Sequence, residues 1–326
     1  MSLFLFALRR LATSIPSLLI ILVGVFLLLQ LAPGDTVDAL LAQMGGGDAQ
    51  IIETLRHFYG LDAPVAVQLG RYLLRLAQFD LGYSAIYGKP VIDVIVERLP
   101  VTLLLMGASL VVAVSGGVAL GILAARRVNK WPDTLISTLG LVFYATPSFW
   151  LGLMAVVVFA VKLGWLPPGG FEEVGAGYQG LTRALDIARH MALPTITLSL
   201  IFLATYLRIM RASMLEVSSL DFVRTARAKG VDETKIVTHH VLRNALLPML
   251  TLIGLNASAM LGGSVVVESV FTLPGLGRLA YESVVQRDLN TLLGIVLLSA
   301  ILVIVVNFIV DLLYARLDPR IRAKGH

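Results

Sequence analysis

The sequence predicts an all-α fold, a polytopic transmembrane bundle of six spans with both termini in the cytoplasm. Three observations carry this. The chain is 57% apolar and 14% charged over 326 residues, whereas soluble domains carry about 25% charged residues. Its apolar residues gather into long runs separated by polar loops. Its lysines and arginines crowd into alternate loops.

Crossing the hydrocarbon core takes about 20 apolar residues in a helix. Six segments qualify, roughly Leu11–Leu31, Val101–Ala125, Leu135–Val161, Ala192–Met210, Leu246–Val270 and Leu292–Tyr314. Helix is the expected conformation, because lipid offers the backbone no hydrogen-bond partners and the short alternating strands of a barrel are missing. The first run exceeds the h-region of a signal peptide and reads as an uncleaved anchor.

Between the first two spans, residues 32–98 hold turn signals at Pro33-Gly34-Asp35 and Gly45-Gly46-Gly47. Helical spacing follows at Leu69, Leu73, Leu76 and Phe79, which predicts a small helical cap. The Gly- and Pro-rich residues 163–190 read as a loop. No internal repeat stands out, and the whole chain reads as one membrane domain, 1–326.

Orientation follows from the basic residues. Arg9 and Arg10 precede the first span, and Arg126, Arg127 and Lys130 fill the loop before the third. Arg224, Arg227, Lys229, Lys235 and Arg243 lie before the fifth, and Arg316, Arg320, Arg322 and Lys324 in the tail. Most loop acids, Asp35, Asp48, Asp62, Asp80, Glu97, Glu172, Glu173 and Asp288, fall in the other loops. This places 32–98 outside the cytoplasm. The net charge of +5 thus belongs to membrane orientation rather than to nucleic-acid binding.

Catalytic-looking strings fail on context. There is no cysteine, so disulfides, thiol catalysis and thiolate metal sites are excluded. Gly175-Ala-Gly-Tyr-Gln-Gly180-Leu-Thr182 resembles a phosphate loop, but Leu181 replaces its lysine. Gly275-Leu-Gly-Arg-Leu-Ala280 lacks the preceding strand of a dinucleotide fingerprint and reads as a tight turn. The adjacent His239 and His240 point about 100° apart on a helix, unsuited to one metal. No catalytic residue, bound cofactor or metal site is expected in this chain.

Among the few polar residues of the spans, Gln30, Asn256, Asn307 and Asp311 stand out, the last within reach of Arg316. Buried ionisable groups mark ion-coupled carriers, and their scarcity argues against that class. Pro147, in Tyr144-Ala-Thr-Pro147-Ser-Phe-Trp150, should kink the third span. With Phe149, Trp150 and Asn256 it forms the set of candidate pathway-lining residues, packing between helices being the alternative.

The most informative segment is the polar insert 213–245. Ser219 is placed to cap a helix with Asp221 in its first turn. Gly230 suits the left-handed position that ends one, and Asp232 can cap a second helix with Glu233 behind it. Phe222, Val223 and Ala226 give the first helix a small apolar face beside Arg224, Arg227 and Lys229. Two short helices hinged at Gly230 make a docking surface for a soluble partner.

Here the chain resembles a known family. The strings Ala226-Arg-Ala-Lys-Gly230, Arg243-Asn-Ala-Leu-Leu-Pro248 and Glu268-Ser-Val-Phe-Thr-Leu-Pro274-Gly-Leu-Gly277 look like those of the membrane permease of peptide-type ABC importers. So do Arg9-Arg10, Leu31-Ala-Pro-Gly-Asp35, Asp80-Leu-Gly-Tyr-Ser84, Arg98-Leu-Pro-Val-Thr102 and Asp318-Pro-Arg320. The resemblance implies a subunit of the bacterial inner membrane that forms half of a translocation pathway for peptides or similar small solutes. Its partners would be a second, homologous permease, two cytoplasmic ATPase subunits carrying ATP and Mg, an extracytoplasmic substrate-binding protein, and membrane lipid.

The coupling role carries onto Asp221, Phe222, Val223, Arg224, Thr225, Ala226, Arg227, Ala228, Lys229 and Gly230. Importer permeases in general have Glu-Ala-Ala where this chain has Arg224-Thr-Ala226, so a glutamate contact to the ATPase does not carry over. Phe79 also stands where the branch often has glycine. The competing readings are an ion-coupled secondary carrier or channel, which scarce buried charge disfavours, and a membrane scaffold or receptor, for which no soluble signalling segment is long enough.

Overall fold

The computed structural model describes residues 3–317 apart from 32, 33, 36, 39, 42–45, 47 and 79, and leaves undescribed the side chains of 3–14, 49, 58, 59 and 311–317. Phe79, Asp318-Pro-Arg320 and the expected Asp311–Arg316 pair lie outside these residues and side chains. Among the described residues the fold is helical, with one hairpin of two two-residue strands. In order the elements are α1 (Leu3–Leu31), α2 (Ala49–Tyr59), α3 (Val65–Ala77), β1 (Tyr83–Ser84), β2 (Lys89–Pro90) and α4 (Val91–Arg126). Then come α5 (Trp131–Ala145), α6 (Ser148–Ala155, continued as a π-helix over Val156–Lys162), α7 (Gly180–Ser218), α8 (Asp221–Ala228) and α9 (Glu233–Lys235). A second π-helical stretch, Ile236–Val241, leads into α10 (Leu242–Ala245), α11 (Leu247–Val270), α12 (Leu276–Val285) and α13 (Leu289–Leu317).

Among the described residues, four helices, α4, α7, α11 and α13, are long and apolar enough to cross a membrane, or five if α5 and α6 count as one bent span. Ile15–Leu31 in α1 is apolar but shorter. Side chains such as Ile20, Leu28 and Val111 are exposed on the helices, as lipid-facing positions are.

The chain packs as two compact units. One comprises Met1–Pro100 with Pro274–Val305. Here α1 meets α3 through Leu22, Phe26 and Tyr72, with Leu69, Leu73 and Leu76 alongside, so the helical spacing read from that segment is borne out. The buried Asp288 caps α13, accepting from the Thr291 amide at 3.2 Å and hydroxyl at 2.8 Å and from the Ser84 hydroxyl.

The other unit comprises Val101–Leu273 with Val306–His326. Its axis is α7, half of whose apolar window is buried. At 39 residues this helix is about 58 Å long. Against it lies α4, admitted by two glycines one turn apart. A Cβ on Gly117 would sit 2.5 Å from Tyr206 Cβ, and one on Gly121 2.7 Å from Met210 Cβ. Small residues allow this backbone approach where lipid gives helices no hydrophobic reason to associate.

Three expectations need correction. The third span is not merely kinked: Pro147 lacks the amide that would continue the helix, and the axis turns by 106° between Ala145 and Ser148. Residues 163–190 are not all loop, since α7 begins at Gly180. Arg183, Asp186 and Arg189 lower the hydropathy of its first turns and hide them from a search for apolar runs. Gly275–Ala280 is the start of a helix rather than a tight turn. Gly275 precedes α12, whose Leu276 and Leu279 are buried and whose Arg278 pairs with Glu282 at 2.8 Å.

Candidate functional site

Within the polar insert, α7 ends at Ser218 and the chain turns directly into α8. The expected cap is displaced. Ser219 closes α7, donating from its amide and hydroxyl to the Glu216 carbonyl, while the extended Leu220 precedes α8 with no side-chain cap. Asp221 lies in the first turn as expected. It is nearly fully exposed and stands 3.6 Å from Arg224.

The far end of α8 is set by Gly230. Its φ of +74° is left-handed, a region that costs an L-residue about 1–2 kcal/mol. That turn lets the Val231 amide reach the Ala226 carbonyl at 3.2 Å and the Gly230 amide reach Arg227 at 3.0 Å. This is the six-to-one, five-to-two pair of a Schellman motif. Asp232 then caps α9, its Oδ2 accepting from the Thr234 and Lys235 amides at 2.9 and 3.3 Å. Arg227 spans the turn with a two-pronged contact to Glu233 at 3.1 and 2.7 Å, and this pairing lowers the Glu233 pKa.

The apolar face is smaller than the sequence suggests. Val223 and Ala226 are buried, in one cluster with Tyr206, Met210 and Met214 of α7 and with Ile236, Val241, Ala245 and Met249. Phe222 points away and is 44% exposed. Both 222 and 223 lie within about one turn of 226 on a helix and could share its face, so the position of the neighbouring helices, not spacing, selects 223 with 226. So α8 is held to its own chain by Val223 and Ala226, leaving Asp221, Phe222, Arg224, Thr225, Arg227, Ala228, Lys229 and Gly230 outward.

Elsewhere, Pro147, Phe149 and Trp150 flank the break and are exposed, whereas the Asn256 amide nitrogen is buried within the protein. His239 is exposed and His240 partly so. Among the described residues, Glu173, Asp186 and His190 form a metal-ligand type group, with donor atoms within 4.8 Å of one another. Asp186 there accepts from the Glu173 amide and lies 3.4 Å from His190 Nδ1, with Glu173 exposed and His190 buried.

Two features escaped sequence reasoning. Glu268 is fully buried and accepts from the Thr102 hydroxyl at 2.8 Å. A lone carboxylate in the run 246–270 was the available signal. Asp133, also buried, accepts a fork from Arg211 Nε and Nη2 at 2.6 and 2.7 Å. No local pattern marks a pair so distant in sequence.

A profile of the binding-protein-dependent transport system inner membrane component family matches residues 117–323, and that of its N-terminal region matches 3–106. The chain belongs to this family. The permease is 43% identical over 319 residues to the glutathione transport system permease protein GsiC of Escherichia coli K12, covering 98% of this chain and 99% of the other. With a provisionally named peptide transport system permease protein of Brucella abortus 2308 it shares 40% over 315 residues, 97% and 98% of the two chains. In fold it matches the inward-facing MetNI methionine ABC transporter, with TM-score 0.55 at 18% identity over 70% of this chain and 97% of that one. An amino acid ABC transporter matches with TM-score 0.52 at 18% identity, over 69% and 94%. The permease is thus a multi-pass inner membrane subunit of an ABC importer. In it, α8 is the short amphipathic helix at the turn between two long apolar helices.

Proposed function

We propose that this permease forms half of the translocation pathway of an importer for peptides or small peptide-like solutes, with α8 as the helix that receives the ATPase stroke. The observation that carries this is the two-sidedness of α8. Val223 and Ala226 seat it on the core containing α7, while Phe222, Arg224 and Lys229 face outward. A helix fixed to the bundle on one side and exposed on the other transmits a push and needs no chemistry of its own. The subunit is non-catalytic and holds no cofactor. ATP and Mg belong to two cytoplasmic ATPase subunits, and a second homologous permease and an extracytoplasmic binding protein complete the complex.

Six spans follow when α1 and the α5–α6 pair each count as one. The crowding of basic residues in alternate loops supports a cytoplasmic position for both termini and residues 213–245, and an outer one for residues 32–98. Pro147, Phe149 and Trp150, at the bend and exposed in the single chain, are offered as pathway lining. The burial of the Asn256 amide favours packing for that residue. The peptide reading rests on the 40–43% identity to permeases named for peptide and glutathione transport.

The test is purification of the tagged chain in mild detergent with what accompanies it, then uptake of labelled di- and oligopeptides into proteoliposomes. Recovery of two ATPases and a second permease, with uptake that requires internal ATP, is expected. Uptake by this chain alone, driven by an ion gradient, would replace the importer reading by an ion-coupled carrier.

A further inference from the structure

We infer that Asp133 and Arg211 are positioning residues for transport, forming the joint through which movement of α8 reaches the bent span α5–α6. The inference rests on the role proposed above for α8. Its own ground is the arrangement of α5 on α7. Asp133 lies in the first turn of α5 and is 4% exposed. It accepts the Arg211 fork, the Asn129 amide at 2.9 Å and the Ser137 hydroxyl at 3.3 Å. Four donors on one carboxylate fix both the helix start and the turn before it, where Asn129 holds a φ of 60°. Paired guanidinium–carboxylate bonds fix direction as well as distance.

One turn back along α7, Arg208 lies over the Tyr144 ring at 4.6 Å from its centroid. Tyr144 is near the last residue of α5, just before the Pro147 break. Two arginines three residues apart on α7 therefore hold α5 near its two ends. Between them Gly140 faces Leu207 at contact distance. Arg211 is on the stretch of α7 that also carries Met210 and Met214, the side chains packed with Val223 and Ala226 of α8. Contacts from α8 and from α5 thus converge on α7 between 207 and 214. A stroke on α8 moves this stretch, and α5 follows as a rigid piece whose other end is the 106° bend.

A static brace would use the same contacts, so the two must be separated by function, as spatial intermediacy alone proves no coupling. The experiment uses the complete reconstituted transporter and reads ATP hydrolysed per peptide imported. In Asp133→Asn and Arg211→Gln, ATP hydrolysis stimulated by the binding protein should persist while uptake falls about tenfold, a typical coupling magnitude. Arg211→Lys, which keeps the charge but loses the fork, should fall between these and the parent, and it serves alone where the other variants do not assemble. Proportional loss of hydrolysis and uptake in assembled complexes, or an unchanged ratio in Arg211→Lys, would overturn the joint. A parent complex without ATP-driven uptake would instead reject the importer reading itself.

Discussion

The Glu268 carboxylate, fully buried near the end of α11, accepts a hydrogen bond from the Thr102 hydroxyl on α4 at 2.8 Å. Val267 and Val101, the chain neighbours of Glu268 and Thr102, belong to one buried apolar cluster, and a carboxylate with no exposure depends on hydrogen bonds. Removing a donor from such a group costs about 1–3 kcal/mol. Thr102→Val should therefore lower the unfolding midpoint of the detergent-purified protein by several degrees, with Thr102→Ser close to the parent. Equal midpoints for valine and serine would mean that the hydroxyl does not support Glu268.

The glycines of α4 make a steric prediction. Gly117 and Gly121 have no room for a Cβ against α7, whereas Gly107 on the same helix has nothing within 4 Å of that position. Gly117→Val and Gly121→Val should each destabilise by about 1–3 kcal/mol or force the helices apart, lowering both the yield of monodisperse protein and its thermal midpoint. Gly107→Ala should behave as the parent. Similar midpoints for Gly121→Val and Gly107→Ala would show that α4 does not pack on α7 as described.

What was legible in the sequence divides along physical lines. Long apolar runs announced α4, α11 and α13, because lipid forces helix on any such run. The turn at Gly230 and the cap at Asp232 were legible too, being local backbone chemistry fixed by one or two residues. The first turns of α7 and the short α12 were not, since their partly charged faces dilute the apolar signal. Nor was the choice of Val223 over Phe222 as the buried residue, or the Asp133–Arg211 fork, as both depend on which distant helix lies alongside.

The Arg227–Glu233 contact makes a pH and salt prediction. Arg227 depresses the Glu233 pKa, so the stabilisation is present above the ordinary carboxylate range and is lost as pH falls through the depressed folded-state value. Both side chains are about half exposed, 45% and 59%, so solvent screening holds the pair to about 1 kcal/mol or less. Acidification below the ordinary carboxylate range, or salt well above physiological strength, should loosen α9 from α8 without unfolding the bundle. Hydrogen exchange of residues 229–235 would report this as faster exchange confined to that turn, absent in Glu233→Gln. Uniform acceleration across the helices would mean that the pair is not the acid-sensitive element.

Gly230 separates backbone conformation from contact. A Cβ there would meet nothing within 4 Å, yet its φ of +74° is left-handed. If the turn matters because it aims α8, asparagine, which tolerates this region, should be accepted, whereas β-branched valine should not. ATP-driven uptake should thus be close to the parent for Gly230→Asn and severely reduced for Gly230→Val, with both proteins reaching the membrane in comparable amounts. Loss of uptake in both variants would point to a surface that must lie flush against a partner, making crowding rather than the Schellman turn the function of this glycine. Full uptake in both would remove Gly230, and with it the fixed geometry of α8, from the transmission of the stroke.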